Sequence, residues 1–169
     1  MNTKIPKITT SKGFTLIELV LTIVILGLVS AIAFPTFANL SEEAHSASAT
    51  STFQQFRTSY ELAHTAWFAQ GQGNTIKIGD STVNASTAGY AQAASASVAS
   101  CQNLFADMLD FPPPTRDLFP LTPSPDEWGV WGFNSGGSPA CLFMYMGDTT
   151  PFKYFWILPN TGTMNSFNV

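Results

Sequence analysis

Charge is scarce in this 169-residue chain: Asp, Glu, Lys and Arg together make up 11% of it, about half the usual share. A surface covered mainly by charge is therefore excluded. Much of it must be uncharged Ser, Thr, Asn, Gln and Gly, which suits packing against copies of itself or life outside the cytosol. Basic residues number only seven, and three of them (Lys4, Lys7 and Lys12) fall in the first twelve positions. Without those three, four bases face eleven acids, a formal charge of −7. A body that acidic is excluded as a direct, sequence-independent ligand of nucleic acid, because phosphate binding rests on Lys and Arg clusters. Histidine is represented only by His45 and His64, neither spaced for a metal or a catalytic pair. Asp107, Asp110 and Asp117 lie close in sequence but lack the glycine and ligand spacing of a calcium loop, so they read as a solvated acidic patch. Phosphate-cradling glycine loops, nucleophile elbows and CxxC pairs are all missing. The expectation is no enzyme, no cofactor and no metal. Two cysteines, Cys101 and Cys141, could be buried free thiols or one bridge.

What the chain does have in quantity is apolar sequence, and it is placed asymmetrically. Met1 to Gly13 is short, basic and free of acids, and Phe14 to Phe34 follows as an apolar run. No charge occurs from Leu19 to Ser41, a stretch of ~30 Å as a helix, about the thickness of a bilayer's hydrocarbon core. The flanking lysines predict that the N-terminus stays cytoplasmic and the remainder faces outward. Glu18 interrupts this run, and a carboxylate there costs ~2.5–3.5 kcal/mol on insertion scales. It either reaches the headgroups or pairs with a cation. A free amine at Phe14, one turn away, would serve, aided by the positive end of the helix dipole. Ala31-Ile32-Ala33 offers an alternative, a secretory signal cleavage that would release a soluble domain at Phe34. Glu18 within the apolar region and Pro35 just past that site argue against it.

Lys12-Gly13-Phe14-Thr15-Leu16-Ile17-Glu18-Leu19 and the run behind it resemble the class III signal of type IV prepilins, with the short leader and Phe14 of the type IVa branch. That resemblance implies cleavage between Gly13 and Phe14 by a membrane-embedded prepilin peptidase, methylation of the new Phe14 amine, and a role for Glu18 in bringing subunits into register. It also implies a bend or local melting of the helix at Pro35, where a donor is lost and the ring clashes with the carbonyl four residues back. The division implied is a leader at 1–13, a transmembrane and assembly helix at 14–35, and a globular pilin domain at 36–169. The partners implied are copies of the same chain in a helical filament, the peptidase, an assembly platform with its ATPase, and the inner membrane. Storage would be in the bacterial inner membrane and use would be as an extracellular pilus for adhesion, with motility as a further possibility. A type II secretion pseudopilin and a minor tip pilin, acting in adhesion or DNA uptake, share the same N-terminus and stand as alternatives. Export of the body favours a Cys101–Cys141 disulfide over free thiols.

Beyond Pro35 the helix is expected to continue, with Phe53, Phe56, Tyr60, Ala63 and Trp67 on one face and Gly71 and Gly73 ending it. That aromatic stripe reads as core. Asn74 to Thr87 reads as a polar connector with a short strand at Thr75–Ile78. A second helix is expected over Ala91 to Leu109, burying Val98, Cys101, Leu104, Phe105, Met108 and Leu109 and stopped by Pro112-Pro113-Pro114. A Pro-rich stretch to Pro125 is followed by strands at Trp128–Phe133, Cys141–Met146 and Lys153–Leu158, and a turn at Asn160-Thr161-Gly162 leads into Thr163–Val169. The fold class expected is α+β, the type IV pilin fold: a long N-terminal helix packed on a C-terminal antiparallel sheet with one disulfide. Gly89-Tyr90, the helical Cys101, the Pro-rich turn, Cys141 and the final turn together resemble pilins of the mannose-sensitive haemagglutinin type.

Overall fold

A computed structural model describes residues 13–124, 126–147 and 152–169; within it, the side chains of residues 34–39 lie outside the described set. The chain divides into two compact units, Met1–Ser41 and Glu42–Val169. Helix α1 (Leu16–Ala69) contributes residues to both. In the first unit its leucines, isoleucines and valines are exposed all round, and Leu16–Ala33 is long and apolar enough to cross a membrane. The hydroxyls of this stretch are satisfied within the helix. Thr22 Oγ1 donates to the Leu19 carbonyl and Ser30 Oγ to the Leu26 carbonyl, each at 2.7 Å, the back-bonding that hydroxyls make within a helix. Pro35, expected to bend the helix, falls among the residues whose side chains are not described.

The second unit is built on the amphipathic part of α1. Phe53, Phe56, Tyr60 and Ala63 are buried, with Trp67 packed at the margin. The helix stops at Ala69, and Gly71 follows with φ +87°. A three-stranded sheet comes next, in the order β1 (Thr75–Ile78), β2 (Ser81–Ala85), β3 (Ala91–Gln92). Helix α2 (Val98–Asp107) precedes a five-stranded sheet in sequence order: β4 (Thr115–Asp117), β5 (Trp128–Ser135), β6 (Ser138–Tyr145), β7 (Tyr154–Leu158) and β8 (Thr163–Phe167). All pairings are antiparallel except β4 with β5. A long apolar helix, a second helix, antiparallel sheets and one disulfide fit the type IV pilin fold.

Phe56 lies at the centre of the core, its ring 5.6 Å from Phe105, 5.4 Å from Phe143 and 5.2 Å from Phe155. These four rings come from α1, α2, β6 and β7, so one aromatic cluster joins both helices to the large sheet. Cys101 of α2 is bonded to Cys141 of β6, and both are fully buried. Gly132 of β5 permits the same approach. A Cβ there would stand 2.9 Å from the backbone of Ala96 and Ser97, at the start of α2. At Gly162 a Cβ would stand 2.1 Å from the Tyr90 ring, and φ is +67°, so the final turn needs glycine twice over.

Three expectations require correction. The second helix begins at Val98, not Ala91. Ala91 and Gln92 instead pair with Ala85 and Asn84 of β2, burying Ala91 and Ala93. Ser97 then caps the helix, its side chain accepting from the Ser100 amide. The connector from Asn74 to Thr87 contains a second strand, β2, besides the expected Thr75–Ile78. The Pro-rich stretch, expected to precede the strands, supplies one itself, β4, as a parallel edge strand on the otherwise antiparallel C-terminal sheet. There the Leu118 amide donates to the Val130 carbonyl at 3.0 Å.

Candidate processing and assembly site

The residues singled out at the N-terminus are Gly13, Phe14 and Glu18, and all three are described and exposed. Gly13, Phe14 and Thr15 precede the helix, which starts at Leu16. A Cβ built on Gly13 meets nothing within 4 Å, and the Phe14 side chain is 82% exposed. The Gly13–Phe14 peptide bond thus lies ahead of the helix, outside regular secondary structure, with open space beside Gly13. Lys4, Lys7 and Lys12 lie outside the described residues.

Glu18 turns back on the start of its own helix. Its Oε2 accepts from the Thr15 amide at 3.0 Å and from Thr15 Oγ1 at 2.7 Å. In return the Glu18 amide donates to Thr15 Oγ1 at 3.4 Å. This is a capping box, in which a hydroxyl and a carboxylate three residues apart satisfy donors that the first helical turn leaves free. Thr15 is therefore part of the site, and the reading from sequence passed over it. The signal was available as Thr15-Leu16-Ile17-Glu18, a threonine followed three residues later by glutamate at the head of an apolar run. The arrangement also holds a carboxylate near the positive end of the helix dipole, about one turn from the Phe14 amide. Chemically it can attract a cation and order a helix start.

The other candidates are dispersed. His64 Nδ1 donates to the Gly89 carbonyl at 3.0 Å, and its ring stacks on Tyr90 with centroids 3.8 Å apart. His45 Nδ1 shares a hydrogen bond with Tyr145 Oη at 2.9 Å and lies 3.3 Å from Asp126 Oδ1. Both histidines fasten α1 to the body. Asp107 accepts from Ser81 Oγ at 3.0 Å. Among the described residues, no group of three or more His, Cys, Asp or Glu is placed to hold a metal ion.

Comparison with family models places a match on this same end of the chain. Residues 8–34 match the family described as the prokaryotic N-terminal methylation motif. A relative, the type IV narrow pilus major component PilA5 of Thermus thermophilus, is 45% identical over 53 residues. That alignment covers 31% of this chain and 46% of the relative, so the chain spans about half the length of the curated relative it matches. No solved structure matches the chain. The motif and the relative together support a type IV prepilin.

Proposed function

We propose that the chain is a structural subunit of a type IV pilus. It is stored in the inner membrane through α1, cut between Gly13 and Phe14 by a prepilin peptidase, methylated at Phe14 and polymerised by an assembly platform and its ATPase. The observation that carries this reading is the pairing of a methylation motif at residues 8–34 with an apolar helix exposed all round over Leu16–Ala33. A segment of that kind needs lipid before assembly and apolar neighbours after it. The named role of the relative as a major pilus component favours the main shaft over a minor tip position.

The role of Glu18 follows from its charge. Once the chain begins at Phe14, the new amine lies one turn from the carboxylate. Pairing it with Glu18 of an adjacent subunit would neutralise two charges that the filament interior would otherwise hold unpaired. Pro35 would soften α1 so that neighbouring helices can adjust as they pack. Outside the cell the polymer would serve surface attachment.

The test is the intact mass and N-terminal residue of the protein recovered from cells. A chain starting at methylated Phe14 is expected. A chain starting at Phe34 would mean conventional secretion of a soluble domain and would overturn the assembly mechanism.

A further inference from the structure

The large sheet has two apolar faces, and its own chain covers the second only at the β5 edge, where Leu118 and Met146 close over Gly129 and the Phe119 ring lies 6.3 Å from that of Trp131. Along β6 and β7 burial alternates as a half-exposed sheet should: Cys141, Phe143, Tyr145, Phe155 and Ile157 are buried, and the residues between them on β7 are partly exposed, as are Leu142 and Met144 of β6. Chemistry does not alternate with it. Strands β5 to β8 contain no Asp, Glu, Lys or Arg at all. The strand register sets Trp131, Leu142 and Trp156 in one row across the outward face, and Met144, Tyr154 and Phe167 in the next. Trp131 is 45% and Phe167 50% exposed, and Tyr154 stacks against both Trp156 and Phe167. An antiparallel sheet with one wet face shows polar residues there; a sheet apolar on both faces is covered on both. Aromatic residues and methionine with charge absent make up the composition of an interface centre. A polar rim is present too, where Arg116 of β4 meets Glu127 at 3.8 Å.

We infer that this outward face is a contact surface for a second copy of the chain. The inference rests on the fibre reading in taking the partner to be a copy, and goes beyond it in assigning the surface. Charge selects the partner. The unit Glu42–Val169 holds ten acids against four bases, so copies repel one another wherever acidic surfaces meet. The uncharged face of β5 to β8 is where two such bodies can approach without that penalty. A bilayer rich in anionic lipid repels the same acidic body. Size argues for a repeating assembly. Four strands ~4.8 Å apart and about five residues long cover on the order of 300–400 Å², roughly half of one partner's share in a standard interface. One such contact is small for an isolated dimer but fits a polymer in which each copy touches several others.

The experiment places the photo-crosslinker p-benzoylphenylalanine at Trp131 or Trp156 of the full-length chain, with Asp110, an exposed acid three residues past α2, as the control position. Cells are illuminated and products identified by mass spectrometry. A product of twice the chain mass, made of this sequence alone, is expected from positions 131 and 156 and not from 110. Trp156→Lys, which puts a charge on the outward face without entering the core, should cut sheared fibre by at least about tenfold, the change that ~1.4 kcal/mol of lost association brings. The Cys101–Cys141 bond should still form in that variant. Equal dimer from all three positions, none from the sheet, adducts with lipid or another protein, or unchanged fibre in Trp156→Lys would each overturn the inference. Failure of the fibre reading is seen separately, as a chain not processed at Phe14.

Discussion

At Tyr60 a phenol is fully enclosed, and its hydroxyl has no hydrogen-bond partner among the described residues. Burial, and secondarily the charge Tyr90 would carry, push its pKa far above the ordinary tyrosine range. The fold therefore requires the neutral phenol. Stability from this group is complete below the unfolded value near 10 and is lost as pH climbs above it, because the unfolded chain releases the proton more readily. Tyr60→Phe should remove that alkaline loss. It should also raise stability at neutral pH, by up to ~1–3 kcal/mol, since a buried donor left unpaired costs about that much. Denaturant unfolding of the detergent-solubilised chain at pH 7 and pH 11 checks both. A variant less stable than the parent at pH 7 would show that the hydroxyl is in fact satisfied.

At the scale of elements, the start of α1 separates two roles that meet at Glu18. If capping were its whole contribution, Thr15→Ala and Glu18→Ala would act alike, each costing ~1 kcal/mol of local helix stability and leaving fibres intact. If Glu18 pairs with a neighbour's amine, Thr15→Ala should still make fibres, while Glu18→Ala should hold prepilin in the membrane and stop them. Fibre yield from sheared cells distinguishes the two, and normal piliation of Glu18→Ala would end the pairing idea. The bond between α2 and β6 is a second element-scale device. It spans 40 residues, so replacing Cys101 and Cys141 by Ala should cost about 2–5 kcal/mol, read as a fall in the unfolding midpoint. The apolar run was legible in the sequence from its length without charge, the aromatic stripe of α1 from its helical period, and the strands after Trp128 from aromatic and β-branched residues bounded by Gly, Pro and Asn. The start of α2 was not. Ala91-Gln92-Ala93 is good helix-forming sequence, yet pairing with β2 and the Ser97 cap claim it for other structure. Strand β2 hid in the same way, since Ser81, Thr82 and Asn84 look like loop until Val83 and Ala85 are seen to point inward. The Thr15–Glu18 box was written in the chain but overshadowed by the larger question of a carboxylate in an apolar helix.

On the scale of the whole molecule, the sparse charge noted at the outset becomes a physical constraint on assembly. A chain beginning at Phe14 carries eleven acids and four bases among its side chains. Subunits packed into a fibre hold those acidic bodies within a few tens of ångströms, and the attraction must come from apolar contact. Salt should therefore stabilise the fibre. Raising ionic strength from about 0.01 M to 0.15 M shortens the Debye length from ~30 Å to ~8 Å, screening repulsion between bodies, while apolar contact is almost untouched over that range. Sedimentable fibre should increase with salt, and dilution at low salt should release subunits faster. An assembly held by ion pairs across its interfaces would respond the other way. Among the described residues, Arg57 pairs with Glu61 and Arg116 with Glu127, and Lys153 is buried, so few of the four body cations can bridge between copies. Fibre that dissolves as salt rises would show that charge complementarity holds the copies together after all, and that the uncharged outer sheet is not their meeting place.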